Sequence, residues 1–325
     1  MVEFILRVPL ALFAVFISWY LPGALWMRKL QLRSAGEHVV LSSVLGFVLW
    51  GLQGYMFGYL GLRQLTYLYV LGTFLFSYPH IMEEVQRWKS VVLGIMRADR
   101  LLLILCGVGL VGQLLAVLPS GLKYADGIRF YQLNAFDGVM HLSYIQEISK
   151  RFPPQEPGAA GLPLINYHYW SNLVLGEMVR IWHLPPTMLY FQLLPLFIGP
   201  LIIASIMIIM ELWGGGVRAK RWAAFFWFFG GNAVYLFVLF FHRRLDFTTA
   251  AIDNGMLQFL NMPAAPAKMI FLASLIPLWR WFRTKRLSLG LLAAVLMSSL
   301  TGFKVYFGLF AALGLVFLTI FLFRI

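Results

Sequence analysis

The sequence of 325 residues is poor in charge, in acidic side chains and in cysteine. Charged residues make up 12%, against about a quarter in soluble domains, which excludes an ordinary soluble globular chain. The single cysteine, Cys106, cannot form an internal disulfide, and no Cys/His spacing indicates a zinc site. Acidic residues number 13 against 26 basic ones, and the cytoplasmic loops of a membrane protein explain that excess without nucleic acid.

Apolar residues, in contrast, make up 61% of the sequence, and many runs reach the roughly 20 residues that cross a bilayer as a helix. We therefore predict an all-α, polytopic transmembrane helical bundle of about nine spans, with juxtamembrane amphipathic helices at the outer face. The predicted spans are 4–26, 38–60, 65–82, 101–118, 187–211, 222–241, 265–282, 287–302 and 305–323.

Basic residues concentrate in four of the segments between these spans, at 28–33, 87–100, 218–221 and 280–286. Cytoplasmic loops are rich in lysine and arginine, and placing all four segments on the cytoplasmic side lets the spans alternate without conflict. The remaining connections, of which 119–186 is the longest, then face outward and can build one site. We expect a multi-pass protein of the cytoplasmic membrane whose site faces the periplasm or exterior.

Two outer segments have helical patterning. In 137–151 apolar residues recur at helical spacing, and Asp137 stands where an N-cap would accept backbone N–H groups. The predicted apolar stripe consists of Val139, Leu142, Ile145 and Ile148. The segment 168–184 is apolar but carries three ionisable residues, which favours an interfacial or re-entrant helix over a span.

Two outer carboxylates are candidates for chemistry, because Asp126 and Asp137 each follow a span that exits outward. A solvated loop residue explains Asp126 and an N-cap explains Asp137. The functional alternative is a general base or a metal ligand held at the membrane surface. His141 lies one helical turn after Asp137 and faces the same way.

Aromatic and cationic side chains gather on the same predicted face. The motif "NYHYW" contains Asn166, His168 and Tyr169, and an interfacial aromatic belt explains its tyrosines but not Asn166 or His168. Four outer cations complete the set, although a lysine at an interface also snorkels without any function. They are Arg243, Arg244, Lys268 and Lys304. A carboxylate base with several cations at a lipid interface fits group transfer from a lipid-linked phosphate.

These residues lie in motifs that resemble the GT-C superfamily of integral membrane glycosyltransferases. The motifs are "DGVMHLSYIQEI", "FPPQEPGAAGLPLINYHYW", "FFGGNAVY" and "TGFKVYFG", and the likeness is closest to a branch with an nYYY or nYHY motif. The resemblance covers about residues 100–310 and leaves out the first three spans. We therefore divide the chain into an N-terminal three-helix transmembrane extension, 1–98, and a GT-C-like core, 99–325, of a compact or truncated member.

The resemblance implies transfer of a sugar from a polyprenyl-phosphate donor to an acceptor glycan, lipid or protein. It implies Asp137 as the base. From the clustered outer polar groups we predict His141 as a second catalytic residue and the other candidate residues as donor-binding groups. Some members use a metal at an acidic pair, but this sequence has a single acid in "DG", so Mg²⁺ or Mn²⁺ as a cofactor stays open. The alternative is a lipid-linked glycan carrier or flippase, or a non-catalytic envelope-assembly subunit, against which the largely uncharged spans count.

Overall fold

The computed structural model describes residues 2–30, 32–159, 161–165, 167–231, 240–241, 243 and 255–323. Within these residues the prediction of a helical protein is confirmed. The exception is one short antiparallel hairpin, formed by β1 (Leu122–Tyr124) and β2 (Gly127–Arg129). The candidate residues Asn166 and Arg244 lie outside the described residues.

Thirteen α-helices are defined in the described chain. In order they are α1 (Val2–Val15), α2 (Leu21–Met27), α3 (Ala35–Tyr59), α4 (Leu65–Ser77), α5 (Ile81–Met96), α6 (Arg100–Leu115), α7 (Asp137–Lys150), α8 (Trp170–Trp182), α9 (Leu194–Leu212), α10 (Val217–Phe229), α11 (Ala264–Thr284), α12 (Leu287–Phe303) and α13 (Val305–Phe323). π-Helical turns at Phe16–Tyr20 and Met188–Leu193 lead into α2 and α9 and lengthen those helices.

Three helices among the described residues are long and apolar enough to cross a membrane, namely Arg7–Met27, Ala35–Tyr59 and Met188–Leu212. Shorter apolar helices are Arg100–Leu115, Leu287–Phe303 and Val305–Phe321. The chain is therefore described as a membrane protein, and the nine predicted spans are not confirmed.

The predicted span 65–82 is interrupted. Helix α4 ends at Ser77, and Tyr78–His80 forms a 3₁₀ turn around Pro79, whose ring removes a backbone donor and disfavours a continuous α-helix. The segment that follows, predicted as a basic loop, is the amphipathic helix α5. Helix α5 carries basic residues, but many apolar side chains lie at its surface. A prediction from charge alone therefore assigned a loop to a segment that is an amphipathic helix.

The N-terminal helices pack closely because small residues lie at their interfaces. A Cβ atom at Gly23 in α2 would lie 1.9 Å from the carbonyl oxygen of Ser42 in α3, so only glycine permits this approach. Ser34 caps α3 by accepting the backbone N–H of Glu37 at 3.1 Å. Close backbone approach of this kind favours helix association in lipid, where the hydrophobic effect contributes little.

Aromatic side chains fill the centre of the bundle. Trp19, Phe47 and Phe303 are fully buried. The ring centroids of Trp19 and Phe47 lie 5.1 Å apart, and those of Phe47 and Phe303 lie 5.6 Å apart. Trp50 in α3 donates its indole N–H to the carbonyl of Val174 in α8 at 3.0 Å. Helix α3, from the predicted N-terminal extension, therefore packs against the predicted core.

Ion pairs join the first, second and fourth basic segments. The guanidinium of Arg28, after α2, lies 3.0 Å from the Glu83 carboxylate in α5. Arg280, near the end of α11, donates to Glu37 in the first turn of α3 at 2.6 Å. These pairs bring the polar ends of α2, α3, α5 and α11 together.

The third basic segment lies at the same end of the bundle. Arg221 in α10 makes a two-pronged ion pair with Asp99, at 2.8 Å and 2.7 Å, and Asp99 also caps α6. The hydrogen bonds from Arg221 and the Leu102 backbone lower the pKa of Asp99 to about 2. Trp213, before α10, packs edge-on against Trp279 in α11 at 6.2 Å. All four basic segments therefore share one end, as the charge pattern predicts.

Helices α3 and α12 run from this basic end to the opposite end. Helix α12 has 17 residues, which at 1.5 Å per residue separates Leu287 from Phe303 by about 25 Å. The next residue, Lys304, interrupts the helix with extended backbone before α13 begins. This opposite end holds the candidate functional site.

Candidate functional site

Helix α7 carries Asp137 and His141 at its beginning. Asp137 is the first helical residue rather than the predicted N-cap, because the backbone of Phe136 already has helical torsions after the 3₁₀ turn at Gln132–Ala135. The Asp137 carboxylate has no hydrogen bond to any other residue that the structure describes. Its charge lies close enough to interact with Lys304, Tyr167 and Tyr190.

The buried face of α7 differs from the predicted apolar stripe. Ile145 and Ile148 are fully buried as expected, but Val139 is exposed and Leu142 is only partly buried. Helix α7 turns Gly138, His141 and Tyr144 inward, because a glycine lets the helix lie directly against the ring of Phe191. His141 is therefore a buried residue of the site and not a surface histidine.

Aromatic rings enclose His141. The His141 ring stacks on Tyr190 with centroids 5.7 Å apart, and it lies parallel to Tyr167 at 6.4 Å. The Tyr167 hydroxyl lies 3.5 Å from Nδ1 of His141. Tyr167 also stacks on the neighbouring His168 at 4.8 Å. The motif "NYHYW" and the start of α7, distant in sequence, are thus in direct contact.

Asn172, in the first turn of α8, belongs to the same group, although the sequence analysis did not select it. Its side chain interacts with both His141 and Tyr167 and is 1% exposed. Within the described part of the chain, Asn172 Oδ1 and the buried His168 Nε2 have no hydrogen-bond partner. Buried polar atoms are nearly always paired in native proteins. These two atoms are therefore positions at which a ligand or an ordered water molecule can complete the hydrogen bonding.

Lys304 supplies the positive charge of this cluster, which consists of Asp137, His141, Tyr167, His168, Asn172 and Lys304 and is called the polar cluster below. Burial, with a smaller contribution from the Lys304 charge, lowers the pKa of His141 to about 4, and the same two causes lower the pKa of His168 to about 4. Burial also lowers the pKa of Lys304, and the Asp137 charge opposes that shift. Both imidazoles are neutral at pH 7, beside one carboxylate and one ammonium group.

Several predicted site residues lie elsewhere. Asp126 is exposed at the tip of the β-hairpin, where it pairs with Arg129 at 2.8 Å. This contact matches the solvated-loop alternative and not a role in the polar cluster. Tyr169 points its hydroxyl at Tyr59, 3.1 Å away, and helps to hold the end of α3.

Three of the four predicted outer cations are described, and two of them, Arg243 and Lys268, are not part of the polar cluster as defined above. The Lys268 ammonium in α11 donates to the side chain of Gln258 at 3.2 Å. Arg243 is exposed, with left-handed backbone at a φ of 48°. Among the described residues, Lys304 is therefore the predicted cation that belongs to the polar cluster.

An ion triad beside the polar cluster is a second feature that sequence reasoning missed. Glu177 in α8 is fully buried, and its carboxylate accepts hydrogen bonds from Arg63 and from Arg180. Arg63 also donates to the carbonyl of Ile148 at 2.8 Å, at the end of α7. The triad thus fixes α7 and α8 against the turn that follows α3.

The segment predicted as an interfacial or re-entrant helix is buried inside the protein. Helix α8 has 13 residues, and all of Ser171–Met178 is buried between α3, α7 and their neighbours. Its polar face carries Glu177 and Arg180, which pair with other protein groups and do not face water. A short amphipathic sequence cannot distinguish these two surroundings.

The described residues do not fit a resident Mg²⁺ or Mn²⁺. They contain no group of three or more His, Cys, Asp or Glu side chains that could hold a metal ion. Hard cations favour several oxygen ligands. The polar cluster offers one carboxylate, and an ammonium group lies beside it.

Comparisons with protein-family models, with curated proteins and with solved structures found no match for this chain. The GT-C resemblance accordingly stays a prediction based on the sequence motifs, and the geometry of the polar cluster has to support any function independently.

Proposed function

We propose that this chain is a membrane glycosyltransferase that moves a sugar from a polyprenyl-phosphate donor to an acceptor hydroxyl. The observation that supports it most is that a carboxylate, Asp137, and a partly buried ammonium group, Lys304, lie close enough at one end of the bundle for their charges to interact. A base and an anion-binding cation are the two groups that such a transfer requires. They lie at the end of the bundle opposite the basic segments.

The surroundings of Lys304 suit a phosphate that carries a lipid chain. Lys304 directly precedes α13, and Leu309, Phe310 and Phe317 in that helix are exposed. An exposed apolar helix in a membrane protein faces lipid. A polyprenyl chain along α13 would bring its phosphate to the ammonium group of Lys304.

The proposed chemistry is a single displacement. The Asp137 carboxylate accepts the proton of the acceptor hydroxyl as that oxygen bonds to the anomeric carbon of the sugar. The bond between the anomeric carbon and the phosphate oxygen breaks, and polyprenyl phosphate leaves with the electron pair. Lys304 stabilises the charge that develops on this phosphate. His141 and His168, neutral at pH 7, orient groups by hydrogen bonding and carry no charge.

We assign the basic end to the cytoplasm, because lysine and arginine accumulate on that side of membrane proteins. The polar cluster then faces the periplasm or exterior of the cytoplasmic membrane. In this orientation the donor is a lipid of the outer leaflet.

A carrier or flippase would use the same cation but would need a polar path through the membrane. In the three long apolar helices, the Asp, Glu, His, Lys and Arg residues lie only near the ends, at Arg7, Glu37, His38 and Glu211. A surface reaction therefore fits better than passage of a headgroup.

The test is a transfer assay with the purified full chain in nanodiscs and radiolabelled undecaprenyl-phosphate hexoses, in which release of the sugar to water or to an added acceptor is measured. Asp137→Asn should lower the rate about 100-fold or more, which is the usual contribution of a general base. Glu211→Gln makes the same chemical change at the opposite end and should leave the rate unchanged. Binding without sugar release by the unaltered protein, with movement of the lipid between leaflets, would overturn the proposal in favour of a carrier.

A further inference from the structure

Two polar atoms of residues that contact Tyr167 lack partners among the described residues, and their chemistry restricts what binds there. Asn172 Oδ1 and His168 Nε2 are buried without a hydrogen bond to any described residue. Both side chains flank Tyr167, since His168 stacks on its ring and Asn172 interacts with its hydroxyl group. Neither atom gains or loses a proton in the displacement at Asp137 and Lys304.

An amide oxygen is only an acceptor, so its missing partner must be a donor. A phosphate oxygen without a proton cannot fill that position. A cationic donor is disfavoured because Lys304 already places positive charge near His168. A hydroxyl group both donates and accepts, and it can therefore satisfy the amide oxygen and either tautomer of a neutral imidazole.

The surrounding rings supply a second feature of sugar recognition. The rings of Tyr167, His141 and Tyr190 form a stacked series next to these two atoms. These rings form a largely apolar lining around the two polar atoms, and an apolar lining with a few convergent polar atoms is typical of small-molecule sites. Tyr144 extends this series, with its ring centroid 5.0 Å from that of Tyr167.

We propose that Asn172 and His168 form a subsite for the hydroxyl groups of a neutral sugar, the group that the donor lipid carries. The inference rests on the proposed function and adds the residues that distinguish a glycosylated donor from bare polyprenyl phosphate. Lys304 binds the phosphate common to both lipids, and the subsite binds the sugar alone.

The experiment measures the affinity of the full chain in nanodiscs for undecaprenyl phosphate and for its mannosyl, glucosyl and galactosyl derivatives. The unaltered protein should bind at least one glycosylated lipid about 10-fold to 100-fold more tightly, because leaving a buried polar atom unpaired costs that much. Asn172→Leu should abolish this preference and retain the affinity for undecaprenyl phosphate. His168→Phe keeps a ring on Tyr167 and should have the same effect, which preserves the test if the first variant does not fold.

Lys304→Met should weaken binding of all four lipids, which separates the phosphate subsite from the sugar subsite. Equal affinity of the unaltered protein for bare and glycosylated lipids would overturn the inference, and transfer activity could still be found. A preference that survives in both Asn172→Leu and His168→Phe would also overturn it and would assign the two atoms to ordered water. Failure of all four lipids to bind would contradict the proposed function itself.

Discussion

The hydroxyl of Tyr167 lies 3.5 Å from Nδ1 of His141, and this contact joins two polar motifs that are 26 residues apart in sequence. Helix α7 brings Asp137 to the contact, and α12 brings Lys304 to it from far along the chain. The result is one carboxylate, one ammonium group and two neutral imidazoles at one end of the bundle.

Glu177→Gln should strongly destabilise the protein. The fully buried carboxylate balances Arg63 and Arg180, and removing one partner of a buried ion pair typically costs about 3–5 kcal/mol. Glu211→Gln breaks an exposed pair with Lys220 and should cost at most about 1 kcal/mol. Thermal unfolding in detergent measures both variants, and equal effects would contradict the supporting role of the triad.

The two ends of the bundle should lie on opposite sides of the membrane. In a Cys106→Ala background, Leu162→Cys and Arg218→Cys each introduce an exposed thiol, one near the polar cluster and one at the basic end. An impermeant maleimide added to intact cells should label only the thiol at position 162. Labelling at position 218 from outside would reverse the orientation that the basic segments predict.

Gly302→Ala should reduce transfer activity severalfold. A Cβ atom at Gly302 would lie 2.4 Å from the indole of Trp170, so the indole or the end of α12 has to move, and Lys304 is two residues away. Such overpacking typically costs about 1–3 kcal/mol. Gly314→Ala, where a Cβ meets nothing within 4 Å, is the matched control and should have normal activity. Normal activity in both variants would show that the packing of Trp170 does not position Lys304.

Stability should fall as the pH is lowered from about 6.5 to about 4. His141 and His168 have a pKa of about 4 in the folded protein and near 6.5 when unfolded, so in this window the unfolded chain binds more protons. The full effect of the buried His141 is about 3 kcal/mol or less. The groups that face the two rings include Lys304, Tyr167 and Asn172.

A double variant, His141→Gln with His168→Gln, should reduce this acid sensitivity, and chemical unfolding at several pH values measures it. If the double variant loses stability with acid as steeply as the unaltered protein, the burial of the two histidines is not the cause.

Composition was sufficient to predict a helical membrane protein, because apolar runs long enough to cross a bilayer are typical of transmembrane helices. The charge pattern correctly predicted that the four basic segments lie at one end of the bundle. The ion pairs of Arg280 with Glu37 and of Arg221 with Asp99 stabilise that end. The sequence could not show that α8 is internal, because its surroundings depend on Arg63, a partner 114 residues away.

Some site residues were predictable, and one could not be found by local reasoning. The motif "NYHYW" and the polar start of α7 attract attention because they interrupt an apolar chain. Asn172 lies in the same region, but a lone asparagine in an apolar helix carries no signal until its unpaired oxygen is seen. The predicted stripe failed at Val139, because Gly138 and its contact with Phe191 set the rotation of α7.

A structure of the full chain, with a bound antibody fragment, in nanodiscs that contain undecaprenyl phosphate would show directly whether the polar cluster binds a lipid-linked phosphate. We predict density for the phosphate against the Lys304 ammonium group, with Asp137 on one side and His168 on the other, and a prenyl chain along α13. Phosphate density at the basic end, or a lipid-free polar cluster at saturating undecaprenyl phosphate, would contradict the central claim that this cluster binds a lipid-linked phosphate.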